Sequence, residues 1–297
     1  MTSNIKWILG DLTDQIKKGI VVKLSGGADS SILYYALCKE IADNNLNIPV
    51  YVITLGTDCK PVYPSLARKV IHFTGLATGI WPVEHISYHE KRHTANLLNS
   101  QFNSPEWKYA DDIYSAMQDY IWWPLVLDNK VDALLGGLTE NPLKEKMLSY
   151  LLSVADELNL DIDNIKDYCE YGNDPSRNNH KKKNAIDHMT QDLCWESHMQ
   201  YEEIILSSEI ERNNEIKKPK DSELDEKIFI FHPFIHFDKR KTAEKYKEYD
   251  VLETLFPLTS SCEENNLSQR KKINEIEWEA CGKCWFCYER IYGFGRL

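Results

Sequence analysis

The stretch that most constrains this chain is residues 21 to 31, Val-Val-Lys-Leu-Ser-Gly-Gly-Ala-Asp-Ser-Ser. Val21 to Leu24 reads as a short apolar strand, and Ser25-Gly26-Gly27 breaks it. From Ala28 to about Ala42, apolar residues recur at helical spacing, at Ile32, Leu33, Ala36, Leu37 and Ile41. A strand, a tight glycine turn and a helix form a geometry that binds phosphate. Glycines let the backbone turn sharply and come close to an anion. The free N–H groups and the dipole at the helix start then point at that anion. Leu24, Ser25, Gly26, Gly27, Ala28, Asp29, Ser30 and Ser31 are the candidate nucleotide-binding residues, with the three serines as hydroxyl donors. Asp29 is an odd neighbour for phosphates unless a divalent cation lies between them, and Mg²⁺ prefers such a carboxylate together with phosphate oxygens. Gly-Gly alone would be explained by a plain strand-to-helix turn. The run is not a Walker A loop, since no Gly-Lys-Ser/Thr follows, and it is not the Gly-x-Gly-x-x-Gly dinucleotide turn.

A chain of 297 residues holds one large domain or two modest ones, and its 42% apolar content is ample for a core. The net charge of -11 argues against a general nucleic-acid coat but leaves room for a local groove. No run of about 18 apolar residues is present, so no membrane span is expected. The first residues lack a signal-peptide pattern, and a cytoplasmic location and a homodimer are the expectations.

Along the chain, residues 1–20 read as a short amphipathic helix, with Ile5, Ile8, Leu9, Leu12 and Ile16 on one side. Strands are expected over 49–55 and 79–86, with a helix over 62–76 between them. This alternation predicts an α/β fold, a doubly wound parallel sheet with helices on both faces. Ligands sit at the carboxyl ends of such strands, where the glycine turn falls. His85, His89 and His93 are four apart and would suit one helix face, but no carboxylates accompany them, so they read as surface or loop histidines. A helix over 111–128 carries a thick apolar side; Trp107, Trp122 and Trp123 read as core, with purine stacking as the sharper alternative. A fourth strand, 131–135, ends in Gly136-Gly137, followed by Thr139 and Glu140; paired glycines there suggest close approach to a ligand, or a simple turn. Residues 161–227 turn polar and lysine-rich, reading as an insertion with a helix over 187–213. A fifth strand spans 229–234, then Asp238-Lys239 opens a helix over 241–249. The expected domains are 1–160 with 228–256, the insertion 161–227, and a C-terminal segment 257–297.

Eight cysteines are present, and three of them sit in Cys281-Gly-Lys-Cys284-Trp-Phe-Cys287. That spacing brings three thiolates to one ion, and Cys262 is the natural fourth ligand of a closed, structural Cys₄ zinc (Zn²⁺) site. An iron–sulfur cluster and disulfide pairing are the weaker alternatives. Cys38 falls in the helix after the glycine turn and reads as core. Cys59, Cys169 and Cys194 have no partner spacing, and a reactive thiol at Cys59 is a minor alternative.

Ser25-Gly26-Gly27-Ala28-Asp29-Ser30 resembles the PP-loop of the ATP pyrophosphatase superfamily. The resemblance implies ATP cleaved between its α and β phosphates, a substrate oxygen adenylated, and a nucleophile that then displaces AMP. It places Gly136, Gly137, Thr139 and Glu140 near the nucleotide and the substrate. It makes Asp29 and Lys239 the catalytic candidates, with Lys239 neutralising the departing pyrophosphate. Ser260-Ser261-Cys262, then Cys281-Gly-x-Cys284-x-x-Cys287-x-x-Arg290, then Gly293-Phe294, is similar to the tail of the 7-cyano-7-deazaguanine synthases of queuosine-type deazapurine biosynthesis. That family uses ATP and ammonia to convert a 7-carboxy-7-deazaguanine to an amide and then a nitrile. Its Tyr-Gly-Gln-Arg-His signature is absent; Thr54 to Cys59 stands in its place. Its Asp-Tyr-Ser-Gly-Tyr-Pro-Asp-Cys stretch is absent too; Leu138 to Leu143 stands there. The leading expectation is an ATP-dependent ligase that adenylates a small-molecule carboxylate and transfers ammonia, using ATP, Mg²⁺ and zinc. The alternatives are a tRNA- or nucleotide-modifying enzyme of thiolation or lysidine type, and a nucleotide-binding module without turnover.

Overall fold

The computed structural model describes residues 8–10, 13, 16–57, 62–90, 121–122, 124–171, 201–205, 227–262, 272–274 and 277–297. The main sheet is built from β1 (Ile20–Lys23), β2 (Val50–Thr57), β3 (Glu84–Glu90), β4 (Ala133–Gly136), β5 (Tyr201–Ile205) and β6 (Lys227–Phe231). Its spatial order is β3-β2-β1-β4-β6-β5. Every pair is parallel except β5 with β6, so five parallel strands carry one antiparallel edge. From β1 the chain first builds outward through β2 and β3, then returns to place β4 on the other side of β1. The order therefore reverses between β1 and β4, and their carboxyl ends flank the crevice where ligands bind in sheets of this kind.

Short β-branched strands suit this position because both faces are covered. Ile20 and Val22 of β1 and Val50 and Val52 of β2 enter one core, with α1 (Ala28–Asp43). Val21, Tyr51 and Ile53 enter a second core on the other face, with Ile121, Trp122 and Leu125 from the helical residues 121–122 and 124–127. α2 (Tyr63–Thr78) ends at Gly79, whose φ of 76° is the left-handed turn that closes many helices. α3 (Lys144–Leu158) and α4 (Ile162–Tyr171) form a third core with α6 (Trp285–Phe294), through Met147, Leu151, Ile165, Trp285, Tyr288 and Ile291. α5 (Lys239–Glu248) opens on Asp238, whose side chain accepts from the amides of Arg240 and Lys241.

Several boundaries depart from the sequence reading. The described residues before β1 form no α-helix; Gly10 and Thr13 adopt 3-10 geometry instead. Ile8, Leu9 and Ile16 are still buried in the main core. The Ile8 and Leu9 amides donate to the buried Glu40 carboxylate, and Asp132 accepts from Lys17, Lys18 and Gly19. Side-chain carboxylates thus take over backbone donors that a helix would have satisfied internally. The third strand starts at Glu84 rather than Gly79. Pro82 offers no N–H, and Trp81 lies against Gly75 of α2 instead of entering the sheet. Within the expected helix over 187–213, residues 201–205 are a strand, because Tyr-Glu-Glu-Ile-Ile pairs antiparallel with β6. The fifth parallel strand stops at Phe231, and the following His-Pro-Phe forms a turn. Ile113, Met117, Trp107, Trp123, His93, Cys59, Cys194 and the lysine runs 181–183 and 217–220 lie outside the described residues.

Candidate functional site

The glycine turn sits between β1 and α1 as its sequence implies, and it is gripped on four sides. Gly26 has φ +78°, and a Cβ there would lie 2.4 Å from Leu66 Cβ of α2. On the β4 side, a Cβ on Gly137 would come within 2.9 Å of both the Cα and the amide nitrogen of Ser30. Gly137 therefore lets the second glycine turn close against the start of α1. Gly136 accommodates the His232 ring, 2.7 Å from where its Cβ would be. From α5, the buried Tyr246 hydroxyl donates to the Ala28 carbonyl at 2.8 Å. From the segment before Cys262, the Ser260 amide donates to the Gly26 carbonyl at 3.0 Å, and the Ala28 amide donates to Ser261 Oγ at 3.4 Å.

The serines mainly brace the turn itself. Ser25 Oγ accepts from the Gly27 amide at 3.2 Å and bonds Ser30 Oγ at 3.1 Å. Ser30 Oγ also reaches the Gly27 carbonyl. Ser31 is fully buried, so its expected role as a hydroxyl donor to an outside anion is replaced by an interior position, and its Oγ has no partner among the described residues. Leu24 is buried, its carbonyl accepting from Thr54 Oγ1 at 2.8 Å. Thr54 also meets His85 Nε2 at 2.9 Å. His85 and His89 therefore stand on β3, a strand rather than the helix face on which a metal-binding spacing would depend. Burial, with the nearby Arg68, holds the His85 ring below the usual imidazole range and so neutral.

Asp29 and Lys239 come together although 210 residues separate them: Lys239 Nζ donates to Asp29 Oδ2. Burial pulls the Lys239 ammonium down. The Asp29 carboxylate, followed by Glu289, more than reverses this, so the group stays charged, above its ordinary value. The other Asp29 oxygen, Oδ1, is buried and has no hydrogen-bond partner among the described residues. A buried carboxylate oxygen without a donor is costly unless a cation or donor meets it. The residues present thus fit a divalent cation at the head of α1, with Oδ1 as its protein oxygen. Thr139 and Glu140 follow the second glycine turn, where the Glu140 amide donates to the Phe237 carbonyl at 2.8 Å and ties that turn to the start of α5.

Cys262, Cys281, Cys284 and Cys287 gather with all four Sγ atoms within 4.8 Å of one another. Cys281 and Cys287 stand 3.8 Å apart. A tetrahedral ion with metal–sulfur bonds of about 2.3 Å sets its ligand sulfurs about 3.8 Å apart. The four thiolates therefore fit one metal ion in a closed site. Arg290, buried on α6, donates to Thr259 Oγ1 (2.9 Å), to the Thr259 carbonyl (3.1 Å) and to the Phe256 carbonyl (3.1 Å), and lies 3.7 Å over the Phe256 ring. Cys38 and Cys169 are buried elsewhere, in the first and third cores.

Sequence reasoning did not find Tyr246, Thr54 or the bracing role of Ser261. Ser261 alone carried a signal, since it immediately precedes a metal ligand.

Replacing Gly26 with alanine is expected to destabilise the protein by about 1–3 kcal/mol, because left-handed strain and a backbone-level clash act together. Gly79→Ala, at a similar φ but with nothing within 4 Å, is expected to lose only about 1 kcal/mol. Urea melts of the two variants check this, and equal losses would contradict the close packing on α2.

No family model matches the chain, and no curated protein does. Among solved structures it is similar to the U34-tRNA thiolase NcsA from Methanococcus maripaludis with its [4Fe-4S] cluster, at 13% identity and a TM-score of 0.38. The match covers 84% of this chain and 61% of that one, so the chain spans less than two thirds of the thiolase's length.

Proposed function

We infer that this chain is an ATP pyrophosphatase-type enzyme. It holds Mg-ATP over residues 24–31, joins AMP to a substrate oxygen and releases pyrophosphate. The observation that carries this reading is Asp29: one carboxylate oxygen takes the buried Lys239, and the other is buried and unpartnered at the head of α1. That head lies at the crevice where the strand order reverses. The first-turn amides and the helix dipole hold phosphate oxygens. Asp29 Oδ1 would hold Mg²⁺, which would neutralise charge on the phosphates. Lys239 keeps its proton and stabilises the negative charge that builds on the leaving pyrophosphate. The substrate oxygen attacks the α phosphorus, the bond to the bridging oxygen of the β phosphate breaks, and pyrophosphate departs with the electron pair. No protein nucleophile is needed; the residues supply position and charge.

Two acceptors fit this chemistry. The first is a carboxylate, whose adenylate ammonia displaces to give an amide. Its 7-deazaguanine form rests on the resemblance of the C-terminal tail alone. The second is a tRNA base, the acceptor class of the thiolase named above. The closed Cys₄ site bears on this choice. If the four thiolates hold one zinc ion, they are occupied, and among the described residues Cys38 and Cys169 are buried. A sulfur carrier would then have to lie outside the described residues. An iron–sulfur cluster on the same thiolates, the kind of group that the thiolase named above carries, would keep thiolation and the tRNA reading open.

Purified protein with Mg-ATP is incubated in parallel with 7-carboxy-7-deazaguanine plus ammonia and with unmodified tRNA, and AMP, pyrophosphate and product mass are followed. AMP formation in at least one arm is the expected result, and a nitrogen-bearing deazaguanine product assigns amidation. AMP only with tRNA moves the assignment to base modification. No AMP in either arm, and no ATP binding, would sink the pyrophosphatase reading.

A further inference from the structure

We propose that metal binding at the cysteine cluster and nucleotide binding at the glycine turn are energetically coupled, with Ser261 as the positioning residue that carries the coupling. The inference rests on the nucleotide reading of residues 24–31. It concerns a link between two sites that the reaction itself does not require.

The physical connection is three residues long. Ser260 donates its amide to the Gly26 carbonyl at 3.0 Å, and Ser261 Oγ accepts from the Ala28 amide at 3.4 Å. Cys262, next in the chain, belongs to the thiol cluster, and its Sγ accepts from the Cys281 amide at 3.4 Å. These contacts reach both the residue before Gly27 and the residue after it. A Cβ on Gly27 would itself stand 3.8 Å from the Ser260 carbonyl oxygen and 3.8 Å from Ser261 Oγ. Residues 259–262 are held from behind as well. Arg290, three residues beyond Cys287 on α6, fixes Thr259 through its hydroxyl and its carbonyl. A metal ion joining Cys262 to Cys281, Cys284 and Cys287 locks the far end of this segment to the same helix.

The position of Ser261 is therefore set by the cluster, and the direction of the Ala28 amide is set by Ser261. Ala28 is the first residue of α1, where N–H groups meet phosphate. Without the ion, the described contacts that still hold this segment near α6 are the Arg290 hydrogen bonds to Thr259 and weak thiol contacts at Cys262, and the segment that orients the turn loosens. Linkage then works in both directions by the same factor.

The test reads binding, not turnover. The affinity for Zn²⁺ is measured by competition with a colorimetric chelator, with and without a saturating non-hydrolysable Mg-ATP analogue. Calorimetry gives the analogue's affinity for the zinc-loaded and the chelator-stripped protein. In the unaltered protein the analogue is expected to tighten zinc by about 5–150-fold, and zinc to tighten the analogue by the same factor. Ser261→Ala is expected to bind one zinc, keep its zinc-loaded melting temperature within a few degrees, and reduce both factors to below about 3-fold. Ser261→Thr, which keeps the hydroxyl, restores them. A Ser261→Ala protein with undiminished coupling overturns the proposal, because the link would then run through overall folding. Equal analogue affinity in the loaded and stripped forms overturns it too, while leaving the nucleotide reading intact. Failure of both forms to bind the analogue overturns the nucleotide reading and the coupling with it.

Discussion

Lys239→Met is expected to lower the rate of ATP-dependent AMP formation by roughly 10²–10³-fold, the loss seen when one aimed charge or donor is removed from a transition state. Lys239 is only 5% exposed, so its charge acts through little water. Removing it also leaves the Asp29 carboxylate without its cation, and breaking one side of a buried pair is destabilising by about 3–5 kcal/mol. A loss of activity could then reflect unfolding. The double variant Asp29→Asn/Lys239→Met separates the two effects. It removes both charges together, so most of the lost stability should return. Activity should not return, because neither the cation ligand nor the charge on the leaving group is restored. Melting temperature and AMP release, measured on both singles and the double, check this. An active double variant would show that the pair only holds α5 to α1. Raising the pH is a poor handle on Lys239. Lys239 is shifted upward, so the stability it contributes is complete below the ordinary lysine range and is lost only as pH rises through its folded value, in strong alkali.

What could be read from the sequence was local, and what could not was distant. Ser25 to Ser31 was legible as a glycine turn between strand and helix because such a turn is written in consecutive residues. Cys281 to Cys287 showed its metal spacing for the same reason. The apolar rhythm of β1, α1, β2 and α2 was enough to predict a parallel sheet. The Lys239–Asp29 pairing was not legible, because nothing in 210 residues of separation specifies it; the sheet order does. Gly136 and Gly137 were read as close approach to a ligand or as a simple turn, and in the structure their near neighbours are His232 and the start of α1. A glycine reports that something must come near, not what. The run from Gly79 to Val83 misled for a similar reason. Its apolar residues matched a strand, yet Trp81 packs on Gly75 and near the His72 ring, so the hydrophobic signal belonged to a loop over α2. Tyr201–Ile205 fell inside a stretch dominated by charges, and its strand character comes from pairing with β6, which the local pattern did not contain.

Stripping the metal from the Cys₄ cluster is expected to lower the melting temperature by about 10 °C or more, because a structural ion contributes folding energy directly. The reasoning starts from burial. Cys262, Cys284 and Cys287 are buried, and their thiols gather with that of Cys281. Four thiolates this close repel unless a cation lies among them, and four neutral thiols gain only weak hydrogen bonds. A bound ion would thus tie residue 262 to α6, beside the Arg290 hydrogen bonds to Thr259. The effect should spread beyond the cluster. α6 shares a core with α3 and α4, and Asn164 of α4 donates to the Lys283 carbonyl at 3.0 Å, inside the Cys-x-x-Cys turn. Limited proteolysis of the stripped protein should therefore open 144–171 together with 279–297, while β1, α1 and β2, whose core lies on the sheet, stay protected for longer. Acidification should imitate the chelator, since each thiolate must take up a proton to leave the ion. Cys287→Ser should act like stripping, and it should do so under reducing conditions as well, where any disulfide would already be open. A stripped protein with an unchanged melting temperature, or a Cys287→Ser variant that loses stability only in oxidant, would mean that the cysteines serve redox chemistry rather than a structural ion.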